Sequence, residues 1–191
     1  MEIEKIISES ISVKQKMLEN VDLIKTIDNI VKAGIKTFKG KGKILFCGNG
    51  GSASDAQHLA AEFTGRFYLD REPLFAEALH VNSSYMTAVA NDYGFDAVYA
   101  RLVKAFGNKG DILVALSTSG NSSNIIEALA AAKEKGMITV GFTGVTGGKM
   151  KKHCDYLVNI PSKDTPRIQE SHIMVGHIIC ELIEKNLFSK K

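Results

Sequence analysis

From Lys43 onward the sequence alternates short apolar runs with longer stretches of helical periodicity, and this alternation limits the fold more than any other feature. The run Ile112-Leu113-Val114-Ala115-Leu116 has no polar position at all. A strand of that kind needs cover on both faces, which is the situation inside a parallel sheet with helices on either side. Strands are predicted at 44–47, 74–79, 112–116, 139–143 and 156–160. Helices are predicted at 53–67, 84–91, 97–106, 122–135, 149–153 and 166–186. The expected architecture is α/β, a three-layer sandwich around a parallel five-stranded sheet of flavodoxin-like type, with ligands at the carboxyl ends of the strands. Residues 3 to about 40 read as two further helices, closed by Lys39-Gly40. They are surplus to a minimal doubly wound sheet and must pack on its side or on another subunit. No domain boundary is placed after residue 40, so residues 1–191 read as one domain with 1–40 as a helical extension.

Bulk properties exclude several functional classes. An apolar content of 45% supports a packed core. A net charge of +3 is a weak bias, and no stripe of interleaved basic and aromatic residues suggests nucleic acid. The lysines at 149, 151 and 152 and at the C-terminus read as a solvated surface. Three widely spaced cysteines, Cys47, Cys154 and Cys180, form neither a disulfide framework nor a thiolate zinc site and read as small buried hydrophobes. No signal-peptide pattern or membrane-length apolar run is present, so a soluble cytoplasmic protein is expected.

The segment from Cys47 to Glu62 concentrates the chemistry. A buried strand leads into Gly48-Asn49-Gly50-Gly51-Ser52 and then a helix, an arrangement that aims backbone N–H groups and a helix dipole at an anion. His58 and Glu62 lie one turn apart on one helix face. A second loop, Ser117-Thr118-Ser119-Gly120-Asn121-Ser122-Ser123, again joins a strand to a helix. Ordinary capping by Ser122 or Ser123 would use one hydroxyl; five with a glycine favour a phosphate. Gly48-x-Gly50-x-x-Ala53 also satisfies a dinucleotide fingerprint. That reading needs an acidic residue at the end of the next strand, where His80-Val81-Asn82 stands, and it leaves the serine loop unexplained.

The two loops resemble those of the sugar isomerase (SIS) domain. Further motifs in order, Asp55-Ala56-Gln57-His58, Glu62-Phe63, Gly65-Arg66-Phe67, Asn91-Asp92-Tyr93-Gly94, Gly110-Asp111, Thr143-Gly144 and Thr165-Pro166-Arg167-Ile168-Gln169-Glu170, are similar to phosphoheptose isomerases acting on sedoheptulose 7-phosphate. The resemblance covers nearly the whole chain. It implies an aldose–ketose isomerase, working through an enediol, at the first step of ADP- or GDP-heptose biosynthesis. It also implies that Ser52, Ser117, Thr118, Ser119 and Ser122 hold the substrate phosphate. Asn49, Gly50, Gly51, Arg66, Asn91, Asp92, Thr165 and Gln169 would complete the substrate site. One zinc ion per subunit would be held by His58, Glu62, Gln169 and His177, with Glu62 and His177 as the acid–base pair. A homotetramer with active sites between subunits would explain the surplus helices.

Spacing supports His58 with Glu62. Gln169 and His177, eight residues apart, are separated by about 12 Å along a helix and about 80° around it. Spacing alone would equally pair Gln169 with His172, and the choice of His177 comes from the resemblance. An unpartnered imidazole amid Val175, Gly176, Ile178 and Ile179 would be costly to bury. His80, His153 and His172 read as hydrogen-bonded or surface residues. The contrasting functional class is a non-catalytic SIS module that binds a sugar phosphate or a replication-initiator partner. It would have no need of both Glu62 and His177.

Overall fold

The structure is a computed structural model and describes residues 1–189; Lys190 and Lys191, in the basic C-terminus, lie outside them. Two helices come first, α1 (Glu2–Glu19) and α2 (Val21–Lys39), separated at Asn20, whose side chain accepts from Leu23 N and caps α2. The alternating part follows as β1 (Ile44–Gly48), α3 (Gly51–Thr64), β2 (Ala76–Ala78), α4 (Ser83–Tyr93), α5 (Val98–Phe106), β3 (Ile112–Leu116), α6 (Ser123–Glu134), β4 (Ile138–Thr143), β5 (Tyr156–Asn159) and α7 (Thr165–Phe188). All strand pairs are parallel and the order is β2-β1-β3-β4-β5. This is the flavodoxin-like order, in which the chain reverses direction across the sheet between β1 and β3 and opens a crevice there.

The core has two halves, one on each sheet face. Alternate residues of β1 point oppositely: Ile44 and Phe46 join the side covered by α2, α3 and α7, while Leu45 and Cys47 join the side covered by α5 and α6. Both β1 and β3 are buried along their full length, as their apolar sequences require.

Several expected boundaries shift. The strand expected at 74–79 shortens to β2 because Pro73 has no N–H and the Leu74 N–H bonds the Phe63 carbonyl instead of the sheet. The helix expected at 53–67 begins earlier, at Gly51, and ends at Thr64, where the Gly65 N–H closes the last turn on Ala61. Residues 149–153 form a 3-10 turn, and a second such turn, Phe95–Ala97, precedes α5. Cys47 and Cys180 are buried as expected, with burial pushing both thiols up; Cys154 is only half-buried.

The N-terminal helices are less covered than their patterns suggest. On α1 only Val13 and Met17 are buried, whereas Ile3, Ile6, Ile7, Ile11 and Leu18 are exposed. Leu23, Ile27, Ile30, Val31 and Phe38 of α2 enter the core, and Ile24 does not.

Candidate active site

The candidate reactive groups, His58, Glu62 and His177, meet where α3 and α7 cross. The crossing is close because Gly176 has no side chain: a Cβ there would stand 2.5 Å from both δ carbons of Leu59. Leu59 and Gly176 are the chain neighbours of His58 and His177, so this contact brings the two imidazoles together. Their Nε2 atoms are 2.9 Å apart, and His58 Nε2 is 3.2 Å from Glu62 Oε1. The three ligand atoms lie within 4.8 Å of one another. His172 is not part of this group. It is fully buried with its ring edge-on to Phe142, and neither nitrogen makes a hydrogen bond of good geometry. Its expected place, hydrogen-bonded or at the surface, is therefore corrected: burial, opposed in part by the Thr143 backbone, holds the imidazole down to about 4. His80 and His153 are partly buried, and burial lowers both.

Gln169 reaches the start of α3, where its amide lies against the bare Cα of Gly51; a Cβ on Gly51 would stand 2.5 Å from Gln169 Oε1. It thus occupies the same α3–α7 seam as the cluster. Asp55, one turn before His58, faces the same groups and was missed as a site residue, although its i−3 spacing from His58 could have suggested it. Burial pushes its carboxyl up, against the opposing pull of the Gln169 amide and the His58 and His177 rings.

Two imidazoles, a carboxylate and an amide suit a tetrahedral zinc ion. The ligand atoms of His58, Glu62 and His177 lie close enough together to share one ion, and the Gln169 amide, hydrogen-bonded to Asp55, stands beside them, so this donor set fits the metal.

The two small-residue loops flank the crevice between β1 and β3. Gly50 has φ of +56°, which a side chain would resist, and it turns the chain so that α3 starts at once. Ser52 and Ser117 are buried with their hydroxyls near the loops. Ser122 precedes α6 but does not cap it: its Oγ is 3.2 Å from Ser117 Oγ. The capping explanation of that serine is thus unsupported; Ile125 and Ile126 donate to its carbonyl, and the Ser123 and Asn124 N–H groups at the start of α6 are left for a ligand. Ser119 Oγ accepts from Asn121 N, and Ser119 and Thr118 line a cleft of about 160 Å³ with Gly144, Ser162 and Lys163.

Two residues that sequence patterns did not reveal hold the loops in register. Asn49 and the buried Asn124 exchange a reciprocal pair of amide hydrogen bonds, each 2.9 Å, tying the first loop to α6. Asn49 keeps one N–H and one lone pair for a ligand. The buried Tyr99 hydroxyl donates to the Gly48 carbonyl.

The remaining expected residues stand apart. Arg66 is exposed just after α3, and Thr165 is exposed at the start of α7. Asn91 and Asp92 are exposed at the end of α4 and bond each other at 2.9 Å, with no hydrogen bond to the cluster. In the single chain the site is open, with the His58 side chain 51% exposed.

Comparison with known proteins accounts for this arrangement. The SIS domain family profile matches residues 9–144. A phosphoheptose isomerase of Aneurinibacillus thermoaerophilus is 51% identical over 185 residues, 97% of this chain and 93% of its own. This chain belongs to the phosphoheptose isomerase family. Among solved structures of that family, the protein from Neisseria gonorrhoeae superposes with a TM-score of 0.90 at 43% identity, covering 96% of this chain and 97% of the other. The one from Francisella tularensis gives 0.92 at 35% identity with the same coverage. The family relationship and the strand order remove the dinucleotide reading.

Proposed function

We propose that this protein is a phosphoheptose isomerase, an aldose–ketose isomerase that interconverts sedoheptulose 7-phosphate and D-glycero-D-manno-heptose 7-phosphate. The observation that carries the reading is the meeting of His58, Glu62 and His177 beside two phosphate-type loops, in a chain half identical to family members along nearly its full length. A binding-only module would have no use for this cluster.

The serine loops would take the phosphate through Ser52, Ser117, Thr118, Ser119 and Ser122 and the free donors of α6. Anchoring one end of a flexible sugar turns proton transfer at the other end into an intramolecular event. Glu62, with a half-buried carboxylate, would remove the proton from the hydroxymethyl carbon next to the ketone. The same carboxylate would return it to the adjacent carbon, and the electrons would pass through an enediol. His177 would move the proton between the two oxygens. His58, Glu62, Gln169 and His177 would hold a zinc ion, which when bound supplies Lewis-acid polarisation of the substrate oxygens.

The exposed Ile3, Ile7, Ile11 and Leu18 on α1 and the openness of the site support a homotetramer with the N-terminal helices between subunits. Such packing gives Asn91, Asp92 and Arg66 a route to a neighbouring site. No helix among the described residues is long and apolar enough to cross a membrane, which is compatible with a cytoplasmic place in heptose precursor synthesis.

Incubation with sedoheptulose 7-phosphate in deuterium oxide, followed by NMR and mass spectrometry, tests the reaction. An aldoheptose 7-phosphate carrying solvent deuterium is expected; neither product nor exchange, with zinc supplied, would refute it. Metal analysis of the purified protein and light scattering of its oligomer test zinc and the tetramer.

A further inference from the structure

A buried ion pair outside the reactive cluster ties together the three segments that carry it. Glu184, near the end of α7, is 2% exposed, and the Arg71 side chain is 3% exposed. The Glu184 carboxylate accepts from Phe67 N at 3.0 Å, Tyr68 N at 2.7 Å, Leu69 N at 3.0 Å and Arg71 Nε at 3.0 Å. Burial alone would raise this carboxyl, but the three backbone donors and Arg71 outweigh it and hold it below the usual carboxylate range. Arg71 spends its other donors on carbonyls: Nη1 on Phe63 at 2.7 Å, Gly65 at 3.0 Å and Glu72 at 3.2 Å, and Nη2 on Glu62 at 2.9 Å.

The Glu62, Phe63 and Gly65 carbonyls are the loose end of α3. The last turn of α3 contains no basic residue of its own, so Arg71 supplies both the hydrogen bonds and the positive charge that a helix C-terminus favours. Three consequences converge on the site. The backbone of Glu62 itself is held. The turn 65–69, which carries Arg66, is pinned to α7. Phe67 is fixed with its ring 5.7 Å from that of His177. A buried pair of this kind is an expensive way to gain stability, since well-packed apolar residues often do as well; what it does supply is a fixed relative placement of its attachments.

We propose that Arg71 and Glu184 are positioning residues of the isomerase centre, setting Glu62, Arg66 and His177 in register by locking the end of α3 and the 65–69 turn onto α7. The proposal rests on Glu62 and His177 being the reactive pair.

The test uses full-length Arg71→Lys, which keeps the charge but cannot reach the four carbonyls, and Glu184→Gln, which keeps the shape and removes the charge. A core variant distant from the site, Ile27→Val, serves as a stability control, with all assays run well below each melting temperature. The pair touches neither serine loop. The expected result is therefore a kcat lowered by about tenfold or more, with KM and the inhibition constant for inorganic phosphate changed by less than about twofold. The Ile27→Val control should lose melting temperature and keep its kcat. If Arg71→Lys and Glu184→Gln lose melting temperature but keep kcat within about twofold, the pair is only structural and the proposal is overturned. Should both fail to fold, Glu184→Asp decides, because it keeps the charge while drawing the carboxylate back from the 67–69 N–H groups and Arg71. A fall in kcat with unchanged phosphate inhibition supports the proposal, and an unchanged kcat overturns it. Glu62→Gln in the same assay separates the two layers: an active Glu62→Gln enzyme would defeat the assignment of the reactive pair, whatever the Arg71 variants do.

Discussion

Gly51→Ala should separate activity from stability in one substitution. Gly51 is the first residue of α3 and has no positive φ, so alanine strains no backbone there. Helix propensity even favours alanine, by at most about 1 kcal/mol. The new methyl group would meet Gln169, 2.5 Å from Oε1 and 2.7 Å from Cδ. Ordinary contact begins at 3.4 Å, so the amide must retreat by about 1 Å, the scale on which misplacement costs up to about a hundredfold in rate. The obstructing atoms are the tip of a flexible side chain, so the retreat costs little folding energy. The melting temperature should hold or rise while kcat falls by about ten- to a hundredfold, equivalent to about 1.4–2.7 kcal/mol of transition-state stabilisation. A double-mutant cycle makes the test specific: with Gln169→Ala already in place, Gly51→Ala should add almost nothing. An equal loss in both backgrounds, or no loss in the single variant, would refute the role given to the Gln169 amide at this seam.

Three other substitutions probe different layers. Glu62→Gln should lower turnover and deuterium exchange by about a thousandfold while inorganic phosphate still binds; retained exchange would remove Glu62 from proton transfer. Gly176→Ala would press a methyl group into Leu59 at the α3–α7 crossing and should cost about 1–3 kcal/mol in a denaturant titration, with loss of activity. An unchanged midpoint would show that the helices part freely. His172 takes up no proton in the folded protein until about pH 4, whereas the unfolded chain protonates near 6.5. Its contribution to stability is therefore complete above about pH 6.5 and is lost as pH falls towards 4, to an extent of about 3 kcal/mol. His172→Leu should flatten that part of the stability–pH curve, and an unaltered slope would assign the acid sensitivity elsewhere.

The parts of the site that were legible in the sequence are those built from contiguous residues. The runs at 44–47 and 112–116 could only be buried strands, and the glycine turn with His58 and Glu62 one turn later defined a local geometry. The family resemblance extended this to Gln169 and His177. Periodicity could not choose between His172 and His177, because five residues turn the helix by about 140° and both flanks of α7 are apolar. The structure places them differently: Phe142 fills the space beside the His172 ring, and Gly176 opens the approach of His177 to His58. Asn124, Arg71 and Glu184 had no pattern to betray them. Their partners are 75 to 117 positions away for Asn124 with Asn49 and Glu184 with Phe67, and such pairings exist only once the sheet has brought the segments together. The early end of α3 has the same origin, since Arg71 takes its final carbonyls.

The position of α7 at the end of the chain has a consequence for the order in which capability arises during synthesis. The sheet and both serine loops are complete by residue 160, but Gln169, His177 and Glu184 all leave the ribosome afterwards. A nascent chain holds both loops, His58 and Glu62 well before Gln169 and His177 join them. On the proposed reading the reactive cluster closes last, with the helix that also fixes the end of α3, so a chain clipped before α7 should bind phosphate without turning substrate over.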